Sequence, residues 1–519
     1  MKAQAAEVAK PFEPARVQFE EIVEHLQSSK TVAMTHSELE ELLQTEGREL
    51  LRQLLQGHLD YRGVGEVVEP VVGSDGIARP HRRPGSRSLV SIFGLVTVRR
   101  MQYGARGTSA LQPLDAELNL PPERYSHGMR QRVAKEAAKN SFDEVVATVA
   151  DITGSQVPKR QVEQLAERAA ADFDPFYATR AVVSPGEVSQ TGPVLVLSVD
   201  GKGVVMRQKD LRPATRKAAQ GRTRKLKKRL TKGEKRNAKR MATVATVYTI
   251  DRFKRTPLDV VGDLNRVRIL PAPRPRPQHK RVWASLEKEP RAVIGQAFEE
   301  ALRRDPQRQK RWVAPVDGNL HQLDILRELA AQHGVQLTIV VDVIHVLEYL
   351  WKAALAFHDE TSREAEEWVH ERLLGILHGR ASLVAAAMRR SATRRGLQPA
   401  DRKPVDKCAD YLLKYKAFLR YDDYLAAGLP IASGVIEGTC RHLVKDRMDL
   451  TGARWGLHGA ESVLRLRALH ASGDFEAYWQ FHLHAELDRN HCRHYAHTIP
   501  ATRLAARQPS ARPILALAA

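Results

Sequence analysis

Residues 191–201 read TGPVLVLSVDG, and this stretch decides the fold of the chain. Apolar residues follow one another almost without interruption from Val194 to Val199, and the run ends at Asp200 and Gly201. A continuous apolar run of this length, closed by a turn dipeptide, is typical of a strand that is buried on both faces of a sheet. We therefore expect this segment to form a central strand.

The elements predicted after this strand alternate between sheet and helix. Met241–Ile250 (MATVATVYTI) is a second strand, and we place a third within Leu258–Leu270. The chain then continues with a helix over Val282–Arg304, a fourth strand ending at Asp317, a helix over Leu320–His333, a fifth strand ending at Asp342, and helix throughout Val346–Ala427. This order predicts a mixed α/β fold of the ribonuclease H-like class, interrupted by an all-helical insertion before its last helix.

Two short helices joined by a tight turn are predicted within SFDEVVATVADITGSQVPKRQVE, residues 141–163. The residues that define them are the start pair Ser141 and Glu144, the apolar face Val145, Val149 and Ile152, the helix-ending Gly154, and Pro158 at the second helix. A helix-turn-helix of this kind contacts DNA through the first residues of its second helix, here Lys159, Arg160 and Gln161. An ordinary helical hairpin is the alternative interpretation.

The rest of the N-terminal part is mainly helical. Residues 15–60 carry leucines at helical spacing, whereas Ser88–Tyr103 reads as one bent strand or a hairpin with Gly94 in its middle. We expect six regions along the chain: an N-terminal helical region (1–85), a strand and helix-turn-helix DNA-binding region (86–180), the first part of the catalytic core (193–345), the helical insertion (346–427), the last core helix (428–470) and a C-terminal tail (471–519).

The charge, the apolar runs and the cysteines of the chain favour some classes of protein and argue against others. The chain has 519 residues with 82 Lys and Arg against 61 Asp and Glu, a net charge of +21. This excess predicts a polyanionic partner, of which nucleic acid is the commonest and an anionic membrane surface the weaker alternative. No run approaches the roughly 18 apolar residues of a membrane span, and the N-terminal residues lack the apolar segment of a signal peptide. The three cysteines form no CxxC pair, and the spacing of the C-terminal histidines matches no standard zinc site.

In a ribonuclease H-like fold, a two-metal site that cleaves phosphodiesters takes its carboxylates from the first strand, the end of the fourth strand and the last helix, and this chain has a carboxylate at each of these places. Asp200 lies on the first strand, Asp317 ends the fourth, and Glu437 lies in the predicted last helix. Converging carboxylates of this kind hold two Mg²⁺ ions about 3.5–4 Å apart. Asp342 is the rival for the second place, since it ends the fifth strand. Each residue also has a plain structural interpretation, because Asp-Gly pairs occur in ordinary turns and Glu437 and Arg441 have the spacing of a helix-surface ion pair.

A strongly basic segment separates the first two strands. Residues 207–240 contain 16 Lys or Arg against Asp210 and Glu234. We expect this loop to contact DNA phosphates beside the active site, although a solvated loop is the alternative. The cationic residues predicted to contact DNA are Lys202, Arg224, Lys225, Lys227, Lys228, Arg229, Arg441, Lys445 and Arg454.

Taken together, these segments resemble the ISKra-type insertion-sequence transposases, a family of the DDE group with a ribonuclease H-like catalytic domain. The resemblance covers essentially the whole chain. Its motifs are IFGLVTVRRMQY (92–103), the 141–163 segment, VLSVDGKGVVM (196–206) with the lysine-rich loop after it, VDGNLHQL (316–323), VVDVIHVLEYLW (340–351) and SGVIEGTCRHLVKDRMDLTGARW (433–455).

The resemblance implies that Asp200, Asp317 and Glu437 are the catalytic, metal-binding triad. It also matches Asp342 and His345 to a C/D-x-x-H motif, which we assign to ordering the active site or positioning DNA; a helix-capping or core histidine is the alternative for His345. In GARW, Trp455 is expected to be buried.

The function implied is that of a bacterial transposase that binds terminal inverted repeats in double-stranded DNA, cleaves a strand at each end and joins it to target DNA. Mg²⁺ is the expected cofactor, with Mn²⁺ able to substitute, and no organic cofactor or membrane partner is expected. Joining two ends requires a homodimer or larger assembly, and we expect a cytoplasmic, nucleoid-associated protein. The alternatives are a DNA-binding repressor on an inactive ribonuclease H scaffold, and a nuclease that cuts without joining.

Overall fold

The computed structural model describes residues 11–180, 190–220, 238–264 and 273–503. The chain divides into two compact units, the first made of Met1–Phe176 with Glu476–Ala519 and the second of Tyr177–Phe475. It is mixed α/β, with one mixed sheet and one separate hairpin, which confirms the mixed α/β part of the prediction. No helix among the described residues is long and apolar enough to cross a membrane.

The first unit combines helices with a two-stranded hairpin. Strands β1 (His81–Ser91) and β2 (Gly94–Gly104) pair antiparallel, and Gly94 stands in the turn with a φ of 130°. The helices are Glu13–Leu26, Ser29–Val32, His36–Arg62, Pro113–Glu117, His127–Ala137, Phe142–Thr153, Lys159–Ala169 and Phe173–Ala178, together with the C-terminal Phe475–Asn490. A 3₁₀ turn over Cys492–His494 follows the last of these.

The segment predicted to be a helix-turn-helix forms two helices. Ser141 and Glu144 make the reciprocal hydrogen bonds that start the first one, and Gly154 ends it with a φ of 66°. Val145 and Val149 are buried as predicted, but Ile152 is 43% exposed and Thr153 occupies the inner position. The prediction for Ile152 was wrong because the preceding turns of the helix direct Val145, Val149 and Thr153 to the core at a four-residue spacing.

Residues 476–503 pack in the first unit and do not form a separate tail, and residues 504–519 of the predicted tail lie outside the described residues. From Glu476 onward the chain belongs to the first unit, where Tyr478 and His482 are fully buried. The Tyr478 hydroxyl donates a hydrogen bond to the Ala169 carbonyl at 2.6 Å. The sequence hid this packing because Phe475–Asn490 carries histidine and tyrosine at the positions that face the core.

The second unit is built on a five-stranded sheet. Its strands are β3 (Val194–Val205), β4 (Lys239–Ile250), β5 (Gln278–Ser285), β6 (Arg311–Val316) and β7 (Leu337–Val341). They lie in the order β5-β4-β3-β6-β7, with β3 and β4 antiparallel, β4 and β5 antiparallel, and β3, β6 and β7 parallel. β3 is therefore the central strand, as predicted for residues 191–201, and Val194–Val199 is buried throughout.

Among the described residues, the third strand of the second unit lies later in the chain than the sequence indicated, and residues 265–270 of the predicted segment lie outside them. Pro257–Leu264 is a helix, which starts where Thr256 and Asp259 exchange hydrogen bonds, and the strand is β5. The following helix therefore begins at Pro290 and not at Val282. The β-branched and aliphatic residues after Leu258 resemble a strand in sequence, but the reciprocal hydrogen bonds of Thr256 and Asp259 start a helix there.

The remaining helices of the second unit follow the sheet. They are Pro213–Gln220, Pro290–Arg304, Leu320–Gln332, Val343–Ala354, Arg363–Leu377, Ala381–Arg394, Pro399–Lys414, Tyr421–Ala426, Gly434–Thr439, Asp446–Met448 and Leu457–Ser472. Short 3₁₀ turns cover Gln208–Asp210, Lys416–Phe418 and Leu450–Gly452, and Cys440–Lys445 is a π-helical turn.

Candidate active site at the carboxyl edge of the sheet

Three aspartates lie in one row across the parallel strands of the second unit. β3 pairs with β6 from Val194 and Arg311 onward, and further along the Ser198 hydroxyl donates to the Pro315 carbonyl at 2.7 Å. Continuing this register places Asp200 level with Asp317. The pairing of β6 with β7 ends at Val316 and Val341, so that Asp317 and Asp342 are the next residues on these neighbouring strands.

Asp342 is completely buried and its carboxylate holds the local structure together. One oxygen accepts from the Ile344 amide at 2.7 Å, which caps the helix Val343–Ala354. The other accepts from the Ser433 amide at 3.1 Å and from the Ser433 hydroxyl. Asp342 therefore fixes the loop that leads into the helix carrying Glu437.

Glu437 reaches the same place from that helix. The Ser433 hydroxyl lies 3.1 Å from its carboxylate, and the ligand atoms of Asp342, His345 and Glu437 all lie within 4.8 Å of one another. Partial desolvation of the carboxylate, and then the negative charge of Asp342, raise the pKa of Glu437. Two carboxylates and an imidazole this close can serve as ligands of one cation.

A π-helical turn links this group to Asp200. The helix Gly434–Thr439 passes into π geometry at Cys440, whose buried Sγ lies 3.2 Å from one Asp200 oxygen. The other Asp200 oxygen accepts from the Gly201 amide at 2.6 Å. Burial, and then the charge of Asp200, raise the pKa of the Cys440 thiol, so the thiol stays protonated and donates to Asp200. Single π turns often occur at functional sites.

Asp317 is held by backbone contacts and is half-buried. Its side chain accepts from the Asn319 amide at 2.9 Å, and its carbonyl accepts from the Tyr411 hydroxyl at 3.3 Å. Tyr415 donates to the carbonyl of Gly318, which has a φ of 93°. Because both tyrosines lie in or directly after the helix Pro399–Lys414, this helix positions the Asp317 loop.

A second group with metal-ligand chemistry lies in the first unit. Asp172, His482 and Glu486 are buried, and their ligand atoms also lie within 4.8 Å of one another. His482 Nδ1 is 2.7 Å from Asp172, and its Nε2 is 3.0 Å from Arg130. Arg130 pairs with Glu486 at 2.6 Å, and Arg489 contacts both carboxylates. The arginines already neutralise these acids, which is the arrangement of a buried ion-pair network.

The residues predicted to contact DNA differ in their surroundings. Lys159 pairs with Asp143 at 2.7 Å, whereas Arg160 is exposed and Gln161 is half-buried. Lys202 is half-buried on β3 two residues after Asp200, and Arg441, Lys445 and Arg454 are exposed. Arg224, Lys225, Lys227, Lys228 and Arg229 lie outside the described residues.

Trp455 is 6% exposed, and its indole donates to the Met448 carbonyl at 2.9 Å, which confirms the prediction that it is buried.

Sequence reasoning missed Ser433, Cys440 and the two tyrosines of the helical insertion. Ser433 and Cys440 stand within the long last motif, four residues before and three residues after Glu437, so both lie on or near one helical face with it. Tyr411 and Tyr415 are about a hundred residues from the Asp317 loop that they contact, and no local pattern connects them.

No protein-family model matches the chain, and no curated protein is significantly similar to it.

Proposed function

We propose that the chain is a Mg²⁺-dependent DNA transposase of the DDE group, similar to the ISKra-type insertion-sequence transposases. The observation that carries this proposal is the carboxylate edge, defined as Asp200, Asp317, Asp342 and Glu437. These residues come from three adjacent strands and one helix, and hydrogen bonds through Ser433 and Cys440 tie the helix to the strands at both ends of the row.

The sheet supports a ribonuclease H-like catalytic unit. The first strand of the unit, β3, lies in the middle, with the antiparallel β4 and β5 on one side and the parallel β6 and β7 on the other. This is the order expected for that fold. The helices between Val343 and Ala426 stand where the helical insertion was predicted, ahead of the helix that carries Glu437.

The residue types of the carboxylate edge suit a divalent cation, and the group whose ligand atoms already lie within 4.8 Å of one another is Asp342, His345 and Glu437. Carboxylate oxygens are the ligands preferred by Mg²⁺ and Mn²⁺, and burial, followed by the negative charge of Asp342, raises the pKa of Glu437. Asp200, Asp317 and Glu437 would hold the metal, which when bound activates the attacking oxygen and stabilises the leaving one.

Asp317 is the better second ligand, although Asp342 lies nearer to Glu437. Asp342 is fully buried and its oxygens accept three hydrogen bonds, two of them from backbone amides. Asp317 is half-exposed, and among the described residues only the Asn319 amide donates to its side chain. We therefore assign metal binding to Asp317 and positioning of the Ser433 loop to Asp342, with His345 beside Glu437 as a further supporting residue.

DNA binding is assigned to the basic surface near the edge and to the first unit. Arg441 and Lys445 extend from the π turn that contacts Asp200, and their exposure leaves them accessible to a phosphate backbone. The two helices from Ser141 to Ala169 would read the terminal repeats through Arg160 and its neighbours. Joining two ends calls for a dimer or larger assembly.

Incubation with Mg²⁺ and labelled DNA carrying the element's own ends tests this function. A transposase nicks at the ends and produces joined DNA, and Asp200→Asn removes both products. A nuclease cuts without joining. A repressor binds the ends as tightly in the Asp200→Asn variant as in the wild type and never cuts, so either of these last two results contradicts the proposal.

A further inference from the structure

A cavity of about 450 Å³ lies within the second unit at the sheet edge opposite to the carboxylates. It lies at the end of the sheet where β3 and β5 begin and β4 ends. Its lining residues include Thr191, Thr249 and His279. Asp200 stands six residues further along β3, toward the other edge. The cavity is therefore separate from the proposed catalytic site.

The lining of this cavity is strongly cationic. Five of its side chains carry a positive charge: Arg180, Lys280, Arg281, Arg303 and Arg304. Asp474 is the one carboxylate among the lining residues that the structure describes, and it is paired with Arg180 at 3.1 Å. The buried Glu300 pairs with Arg281, Arg303 and Arg304 behind the wall. Two acids against five cations leave an excess of positive charge facing the cavity.

Two buried polar atoms of the lining have no hydrogen-bond partner within the described part of the chain. They are Thr249 Oγ1, on a residue that is 2% exposed, and Arg281 Nε, on a residue that is 7% exposed. An unsatisfied buried donor costs about 1–3 kcal/mol, and an ordered water or a bound ligand removes that cost. Both atoms can donate a hydrogen bond, and an anion with several oxygens accepts them.

The backbone beside these atoms is distorted. The pairing of β4 with β5 shifts register between Val247 and Thr249, and His279 in the shifted region has a φ of 50°. A non-glycine residue in this conformation is strained, and such strain is concentrated at functional sites. The bulge brings His279 into the wall of the cavity next to Lys280.

We propose that this cavity binds a terminal phosphate group, with Lys280 supplying the charge and the Thr249 hydroxyl and Arg281 Nε donating hydrogen bonds to phosphate oxygens. The volume is that of a site for a nucleotide-sized ligand. Inorganic phosphate, a nucleotide and the 5′ end of a DNA strand all present this chemistry. Phosphate binding in this cavity does not require catalysis at the carboxylate edge.

Titration calorimetry on the full chain tests the proposal with four probes: inorganic phosphate, dAMP, a 5′-phosphorylated DNA duplex and the same duplex with 5′-hydroxyl ends. The variants are Thr249→Val, which keeps the side-chain shape, and Lys280→Gln. Lys407→Gln is the matched control, because it removes the same charge from an exposed position on the helix Pro399–Lys414. Thermal unfolding midpoints at or above that of the wild type show that both variants are folded, and Thr249→Val is expected to raise the midpoint in the absence of ligand because it removes the unpartnered hydroxyl.

We expect Thr249→Val to weaken phosphate binding about tenfold and Lys280→Gln about threefold, with Lys407→Gln unchanged. Binding of inorganic phosphate or dAMP with this pattern supports a small phosphorylated ligand. A preference for the 5′-phosphorylated duplex that disappears in both variants supports a DNA end. If no probe distinguishes the two variants from the wild type and Lys407→Gln, the proposal is overturned.

Discussion

Replacing Ser433 by alanine tests whether one hydroxyl holds the carboxylate edge together. Ser433 is 5% exposed, and its hydroxyl donates to the buried Asp342 while lying 3.1 Å from Glu437. The Ser433 amide remains bonded to Asp342 in the variant, so the change removes the hydroxyl contacts alone.

The expected loss in the free energy of unfolding depends on whether the group that accepts the serine hydrogen bond is charged. A hydrogen bond to an ionised group contributes about 1.5–3 kcal/mol, against about 0.5–1.5 kcal/mol for a neutral pair. Ser462→Ala is the matched control, because Ser462 is 3% exposed and its hydroxyl donates to the neutral His458 carbonyl at 2.9 Å. We expect Ser433→Ala to lower the free energy of unfolding by about 2 kcal/mol and Ser462→Ala by about half as much.

Urea unfolding followed by tryptophan fluorescence measures both values. Five of the six tryptophans lie in residues 177–475, so the signal reports the second unit. Equal losses for the two variants, within about 0.5 kcal/mol, would refute the argument that the Ser433 hydroxyl contacts a charged carboxylate.

Three further outcomes follow from the structure. Although burial opposes its charge, Arg304, Arg281 and Arg303 hold the pKa of Glu300 at about 2. Glu300→Gln should therefore lower the free energy of unfolding by about 3 kcal/mol at pH 7, and the difference from the wild type should shrink as the pH falls from about 4.5 toward 2. Gly318→Ala should destabilise the second unit more than Gly334→Ala, since both have positive φ but a Cβ at Gly318 lies 3.2 Å from Tyr415 and one at Gly334 meets nothing within 4 Å. Glu437→Gln should reduce the number of Mn²⁺ ions bound, counted by electron paramagnetic resonance, whereas Glu486→Gln should leave it unchanged because arginines already neutralise that group.

Each of these outcomes has a clear contrary result. A Glu300→Gln difference that stays constant with pH contradicts the lowered pKa, since the stabilisation is present above the unfolded pKa and is lost only as pH falls through the folded one. Equal unfolding free energies for the two glycine variants contradict the close contact with Tyr415. Loss of Mn²⁺ binding in Glu486→Gln would show that the metal binds in the first unit, at Asp172, His482 and Glu486.

The central strand β3 and the parallel strands β6 and β7 were predictable because continuous apolar runs have to be buried inside a sheet. Val194–Val199 is apolar on both faces, so it has to lie in the middle of a covered sheet, and it does. β5 was not predictable in the same way. Its first half is polar and only Arg281–Ser285 is buried, whereas the apolar residues after Leu258 offered a stronger but misleading pattern.

The sequence predicted which residues belong to the candidate site, but it did not predict which side chains contact one another there. Asp200, Asp317 and Asp342 each follow or end an apolar run, and the register of the parallel strands places them in a row. The side chains that bring Glu437 to that row depend on the path of the chain between Ala427 and Cys440, which no periodicity describes. Similarly, the buried Arg130 network joins residues more than 300 positions apart, and the sequence shows only scattered histidines.

Cleavage of DNA that carries the element's own ends tests the central claim most directly, with wild type, Asp200→Asn, Asp317→Asn, Asp342→Asn and Glu437→Gln compared side by side in Mg²⁺. We predict that the Asp200, Asp317 and Glu437 variants lose cleavage while still binding the ends, and that Asp342→Asn cuts more slowly and unfolds more readily. Metal-dependent cleavage that survives in Asp317→Asn and disappears in Asp342→Asn would make Asp342 the second ligand. Cleavage that survives without Asp200 and without Glu437 would contradict the account.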